Sequence, residues 1–208
     1  MSDFSLIETL RYEPEHGFTR LKLHLARLKR SARRLGFVGA AAAEAELNRA
    51  VAEAPTPLRV RLTLGREGAI AVTTATFAPL SGDALWRLRI ASTRLDSRDR
   101  LLRMKTTRRG VYDAARDEFP PADADEVILL NEKGEVCEGT ITSIFLDDGS
   151  GTLKTPPISC GLLEGVLRTE LICQRQARVQ RLSATDLKGG RLYVGNSLRG
   201  LIRAELAV

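Results

Sequence analysis

Apolar and polar positions repeat with two different periods along this chain, and the changes of period mark its elements. From Leu6 to Tyr12 the residues read as a strand. Gly17 then precedes a helical stretch from Arg20 to Leu35. Leu21, Leu25, Leu28, Ala32 and Leu35 recur at spacings of four and three and so share one face. Arg20, His24, Arg27 and Ser31 form a stripe beside that face, and Gly36 stops the helix. An alanine-rich segment, Ala40 to Ala54, predicts a second helix ended by Pro55 and Pro57. Leu58 to Leu64 and Ala69 to Phe77, joined through Gly65-Arg66-Glu67-Gly68, predict a β-hairpin.

Pro79-Leu80-Ser81-Gly82-Asp83 reads as a linker and divides the chain into a small N-terminal domain, 1–80, and a larger one, 81–208. In the second part Trp86 to Ser92 alternates as a strand, and Thr107 to Glu118 predicts a helix closed by Pro120-Pro121. Glu126 to Leu130 and Glu135 to Cys137 flank a hairpin loop with Gly134 near its end. Short strands follow at Ser143 to Leu146 and Thr152 to Thr155, then a helix from Glu164 to Ala177. Terminal strands are expected at Arg178 to Leu182 and Arg191 to Val194. Strands and helices come first, then many short strands with few helices, so the fold class is α+β with a β-rich second half.

Composition narrows the partners. The net charge of +6 arises from 32 Lys and Arg against 26 Asp and Glu, spread along the whole length. With 5% aromatic residues and no basic stripe interleaved with stacking rings, no nucleic-acid partner is expected. The excess charge suits a phosphate cofactor and an anionic small-molecule substrate. No apolar run approaches the roughly 18 residues that span a bilayer, so no membrane partner is expected either. Cys137, Cys160 and Cys173 are too scattered for a disulfide framework or a zinc site, so no metal is expected and a reducing cytoplasm is the simplest location.

Two residues stand in distinctive surroundings: Lys105 in Arg-Met-Lys-Thr-Thr-Arg-Arg-Gly, and Glu138 in Glu-Val-Cys-Glu-Gly-Thr-Ile-Thr-Ser-Ile-Phe. A lysine reacts with an aldehyde only as the neutral amine, which burial or nearby cations such as Arg103, Arg108 and Arg109 favour. The guanidinium of Arg27, bordering the apolar stripe of its helix, matches phosphate oxygens well. Ser159-Cys160-Gly161-Leu162-Leu163-Glu164-Gly165-Val166-Leu167-Arg168 reads as a glycine-flanked helix start, where unpaired N–H groups favour an anion.

Together these segments resemble, in family order and over essentially the whole chain, the class IV (fold type IV) pyridoxal-phosphate enzymes. That family includes branched-chain and D-amino-acid aminotransferases and 4-amino-4-deoxychorismate lyase. His24-Leu25-Ala26-Arg27-Leu28 with Ser31-Ala32 resembles the family's His-x-x-Arg-Leu-x-x-Ser-Ala helix. The segment from Lys105 through Tyr112 resembles the lyases, as does Asn196-Ser197-Leu198; at Ser143 the family usually carries asparagine. The resemblance implies pyridoxal 5'-phosphate as cofactor, Lys105 as its covalent anchor and Glu138 on the pyridine nitrogen. It implies Arg27, the backbone amides of Val166 and Leu167, and Asn196 and Ser197 about the phosphate, with Leu163 against the ring. In Leu6-Ile7-Glu8-Thr9-Leu10-Arg11, Thr9 aligns with residues facing the reaction and Arg11 with one near a substrate carboxylate.

The fold implied is a small α/β domain followed by a β-rich pseudo-barrel domain, in a homodimer with the cofactor between the domains. The implied reaction is conversion of 4-amino-4-deoxychorismate to 4-aminobenzoate and pyruvate in folate biosynthesis, with a class IV aminotransferase as the alternative. Family members usually carry a further stretch before the Glu-Thr-x-Arg strand. This sequence starts almost at that strand, as do lyase domains fused to aminodeoxychorismate synthase, which makes the synthase a candidate partner.

Overall fold

In the computed structural model, which describes residues 4–207, β1 (Leu6–Glu13) directs Leu6, Glu8 and Leu10 to one side, as its period of two requires. A short β2 (Gly17–Phe18) turns back on its end. Helix α1 (Leu21–Leu35) follows. Its predecessor Arg20 takes a left-handed φ of 59°, and Gly36 ends it at φ 70°, with the Phe37 N–H bonded to the Ala32 carbonyl. The alanine-rich segment forms a single 3-10 turn and then α2 (Ala43–Val51). The hairpin closes as β3 (Leu58–Leu64) and β4 (Ile70–Thr76). These strands form an antiparallel sheet in the order β2-β1-β3-β4. Leu25, Leu28 and Ala32 of α1, with Leu47 and Val51 of α2, share one core with Leu6, Leu10, Val60, Leu62 and Leu64.

This first unit comprises the chain through Pro79 and, in addition, residues 104–108. Residues 105–107 run antiparallel against the start of β1. The Ile7 N–H donates to the Lys105 carbonyl at 2.9 Å, Leu6 bridges Thr106, and the Thr107 N–H donates to the Ser5 carbonyl at 2.9 Å. Lys105 therefore belongs with the N-terminal sheet, although it lies well inside 81–208. The helix expected from Thr107 begins only at Gly110 for the same reason: these backbone groups are already bonded to β1.

The second unit holds Leu80–Arg103 and residues from Arg109 onward. Its elements are β5 (Leu85–Leu95), α3 (Gly110–Asp117), β6 (Glu126–Asn131), β7 (Val136–Gly139), β8 (Ser143–Asp147), β9 (Leu153–Thr155), α4 (Val166–Cys173), β10 (Ala177–Val179), β11 (Arg191–Asn196) and β12 (Gly200–Leu206). One curled eight-stranded sheet runs β10-β9-β8-β11-β12-β5-β6-β7. Its β12–β5, β5–β6 and β9–β10 pairs are parallel and the others antiparallel. The architecture is α+β, as expected.

β12 departs from the sequence pattern, which predicts no strand there; it lies near the middle of the sheet, between β11 and β5. α4 is shorter than expected, because Gly165 before it is extended and Arg175 after it takes a left-handed φ of 60°. Among the described residues no helix is long and apolar enough to cross a membrane.

Candidate active site

The candidate residues fall into two sets, one on each unit. In the first, Glu8 occupies a core-facing position of β1 and meets the polar stripe of α1. Its Oε1 accepts from Arg27 Nε at 2.9 Å, and its Oε2 accepts from Arg27 Nη2 at 2.5 Å and from His24 Nδ1 at 2.7 Å. All three residues are 5% exposed or less. Burial alone would raise the Glu8 carboxyl. The Arg27 charge and the bonds from His24 and Arg27 outweigh it and hold the group at about 2. Burial pulls His24 below its usual value despite Glu8, with the charges of Arg27 and Lys105 acting in the same direction. The imidazole is thus neutral at pH 7 and donates from Nδ1.

Lys105 is half-buried, its main chain pinned to β1 and its charge felt at His24. Thr9 and Arg11 lie on the opposite side of β1 from Glu8, by alternation. Arg11 pairs with Glu13 and places its guanidinium 4.8 Å from the centroid of Phe77. Glu8 was not singled out in the sequence, yet a signal existed: a carboxylate in register with Leu6 and Leu10 needs a buried cation.

In the second unit β7 carries Glu138, which is 5% exposed. Its Oε1 accepts from the Tyr112 hydroxyl at 2.8 Å and from the Leu163 N–H at 3.0 Å. Leu163 thus meets Glu138 through its backbone. The turn after Glu138 is fixed by Glu126 at the start of β6. That buried carboxylate accepts from the Thr140 N–H and Oγ1, the Ile141 N–H and the Thr142 Oγ1, at 2.6 to 3.1 Å. Gly139 has to be glycine, because a Cβ there would lie 2.4 Å from Thr142 Oγ1 and 2.7 Å from the Glu126 carboxylate. Nothing in the spacing of Glu126 along the sequence links it to a turn 14 residues later.

The start of α4 has no side-chain cap, and its first residues, Val166 and Leu167, are buried. Gly165 lets Ser143 close in, with Oγ 2.5 Å from where a Cβ would stand. Gly195 does the same for α4: a Cβ there would meet Leu167 Cδ2 at 2.8 Å, so the end of β11 packs on the first turn of the helix. Asn196 holds its own turn, accepting from the Leu198 and Arg199 N–H groups at 3.1 and 3.0 Å and donating to the Ile141 carbonyl at 3.3 Å. Ser197 is buried beside it. The structure thus gathers Glu138 with Leu163, and Leu167 with the β11 end, within this unit.

Each unit carries groups of a kind that suits a phosphorylated pyridine aldehyde: the first a buried guanidinium and a lysine fixed through its main chain, the second a buried carboxylate with two donors and a helix start with no side-chain cap beside a glycine. The chain belongs to the amino-transferase class IV family, which it matches over residues 5–206, and pyridoxal 5'-phosphate is its cofactor. A provisionally named amino-acid aminotransferase from Mesorhizobium loti is 49% identical, with a TM-score of 0.96 over 99% of this chain and 100% of that one. A provisionally named 4-amino-4-deoxychorismate lyase is 30% identical, with a TM-score of 0.82 over 97% of this chain and 84% of that one. A provisionally named branched-chain-amino-acid aminotransferase from Thermotoga maritima is 39% identical over 69 residues, 33% of this chain and 24% of that protein's length.

Proposed function

We propose that this protein is a lyase that converts 4-amino-4-deoxychorismate to 4-aminobenzoate and pyruvate, a cytoplasmic step toward folate. The observation that carries the reading is the segment Lys105-Thr-Thr-Arg-Arg-Gly-Val-Tyr112, whose lysine is the proposed base and whose tyrosine bonds the proposed ring-nitrogen partner. Asn196-Ser197-Leu198 adds to it. The cofactor supplies, when bound, an electron sink at the carbon next to the substrate amine.

In this reading Lys105 holds the cofactor between turnovers, and its amine removes the proton from the amine-bearing carbon of the substrate. The bond to the enolpyruvyl oxygen breaks, the ring becomes aromatic, and the leaving group takes up a proton to depart as pyruvate. Substrate and products are isomeric sums, so no oxidant or co-reactant is needed. Glu138 keeps the pyridine nitrogen protonated. Arg27, the Val166 and Leu167 amides, and Asn196 with Ser197 hold the phosphate, and Leu163 lies against the ring. Thr9 faces the reacting carbon and Arg11 pairs with a substrate carboxylate. The chain works as a homodimer and receives its substrate from an aminodeoxychorismate synthase.

A second reading, a class IV aminotransferase of the branched-chain or D-amino-acid type, is favoured by the name carried by the Mesorhizobium loti protein. One experiment separates them. Cofactor-loaded protein mixed with 4-amino-4-deoxychorismate should release 4-aminobenzoate and pyruvate in equal amounts, and Lys105→Ala should release neither. Absence of both products, with conversion of ordinary amino acids to 2-oxo acids, would replace the lyase with the aminotransferase.

A further inference from the structure

Tyr112 sits in the first turn of α3 with its hydroxyl 2.8 Å from Glu138 Oε1. Its ring is held in place by a neighbour: the Arg109 guanidinium lies 5.0 Å from the ring centroid. Arg109 Nη2 in turn donates to the carbonyl of Thr140, two residues beyond Glu138, at 2.8 Å. The Leu163 N–H donates to the same carboxylate oxygen at 3.0 Å. Both donors are neutral, and both bind best to an ionised acceptor.

The phenol is a permanent donor. Burial, then the Glu138 charge and the hydrogen bond itself, push its pKa far above the ordinary tyrosine range. Among the ionisable groups near Glu138 are Arg109 over the Tyr112 ring, Arg168 of α4 and Cys137 on β7. Burial pulls Arg168 of α4 below its usual value, against the attraction of Glu164 and Glu138. Burial pushes the Cys137 thiol, adjacent on β7, well upward.

We propose that Tyr112 is a positioning residue that keeps Glu138 ionised and oriented toward the ring nitrogen of the bound cofactor, and so sets the acid limit of cofactor binding. The inference rests on the role given to Glu138 above. A protonated Glu138 presents no negative charge to the protonated ring nitrogen, so affinity must fall as that carboxyl titrates. Without the hydroxyl the carboxylate loses one charge-assisted bond, and its titration moves upward by about 1 to 2 pH units.

The test is the dissociation constant of pyridoxal 5'-phosphate for the apo-protein from pH 5 to 8.5, for wild type, Tyr112→Phe and Glu138→Gln. Phenylalanine keeps the ring under Arg109, so the packing is retained. The expected result for Tyr112→Phe is near-wild-type affinity at pH 8.5 and an acid limb displaced upward by 1 to 2 pH units, hence about tenfold or more weaker binding inside that limb. The cofactor's own phosphate titrates alike in all three proteins and cancels in the comparison. Glu138→Gln should lack the part of the limb that the carboxylate contributes and keep only the part common to all three proteins. A Tyr112→Phe profile that coincides with wild type, or lies uniformly below it at every pH, overturns the inference for Tyr112 while Glu138 keeps its role. A Glu138→Gln profile identical to wild type overturns the role of Glu138 and the inference with it.

Discussion

Glu8 is a carboxylate in a core position, and its chemistry dominates the first unit at the residue scale. It faces Arg27 through both oxygens and His24 through one, so the Arg27 guanidinium is held in one orientation by its own unit. A glutamate depressed to about 2 contributes stability that is complete above its unfolded value near 4.5 and is lost as the pH falls through 2. His24 acts in a separate window. Its folded value lies below 6.5, so the unfolded chain takes up a proton first and stability declines as the pH drops below 6.5. Glu8→Gln should cost about 3–5 kcal/mol at pH 7, because it removes the Glu8 charge from beside a buried guanidinium. The same change should flatten the further loss between pH 4.5 and 2. Urea unfolding of wild type and variant at pH 7 and pH 3 measures both effects; equal differences at the two pH values would contradict the assignment.

At the scale of elements, the turn between β7 and β8 shows what one glycine permits. Gly139→Ala would place a methyl carbon against Thr142 and the buried Glu126 carboxylate, and should destabilise the second unit by about 1–3 kcal/mol while loosening the cofactor. Gly110→Ala, at the open first position of α3, is the control and should be neutral or stabilising by up to about 1 kcal/mol. Thermal unfolding of the two variants side by side tests the contrast. The strong period of α1 and the β3–β4 hairpin were legible because local pattern and burial agree there. β12 was not, because Arg-Ala-Glu-Leu is rich in helix formers, and pairing with β11 and β5 overrides that local preference. Among the site residues, Lys105, Arg27 and Glu138 stood out through their flanking motifs. Glu8, Glu126 and the Leu163 N–H did not, because each acts through a partner on another element.

At the scale of the molecule, the chain passes to the second unit after Pro79, returns for residues 104–108 and leaves again at Arg109. The five returning residues are held to β1 largely by main-chain bonds, so their order depends on N–H groups more than on side-chain identity. Thr107→Pro removes the donor to Ser5 and should release this segment. Hydrogen exchange of the Ile7 amide, whose acceptor is the Lys105 carbonyl, should accelerate while amides of β8 and β11 stay protected; an unchanged Ile7 rate would refute it. This routing also fixes an order of events on the ribosome. The N-terminal sheet leaves the exit tunnel well before its lysine segment, which follows 25 to 29 residues after Pro79. At about 5–20 residues per second the sheet waits roughly one to six seconds for it. During that interval the start of β1 has one free edge, on the side away from β3, open to any other extended chain nearby, and Lys105 arrives with the piece that closes it.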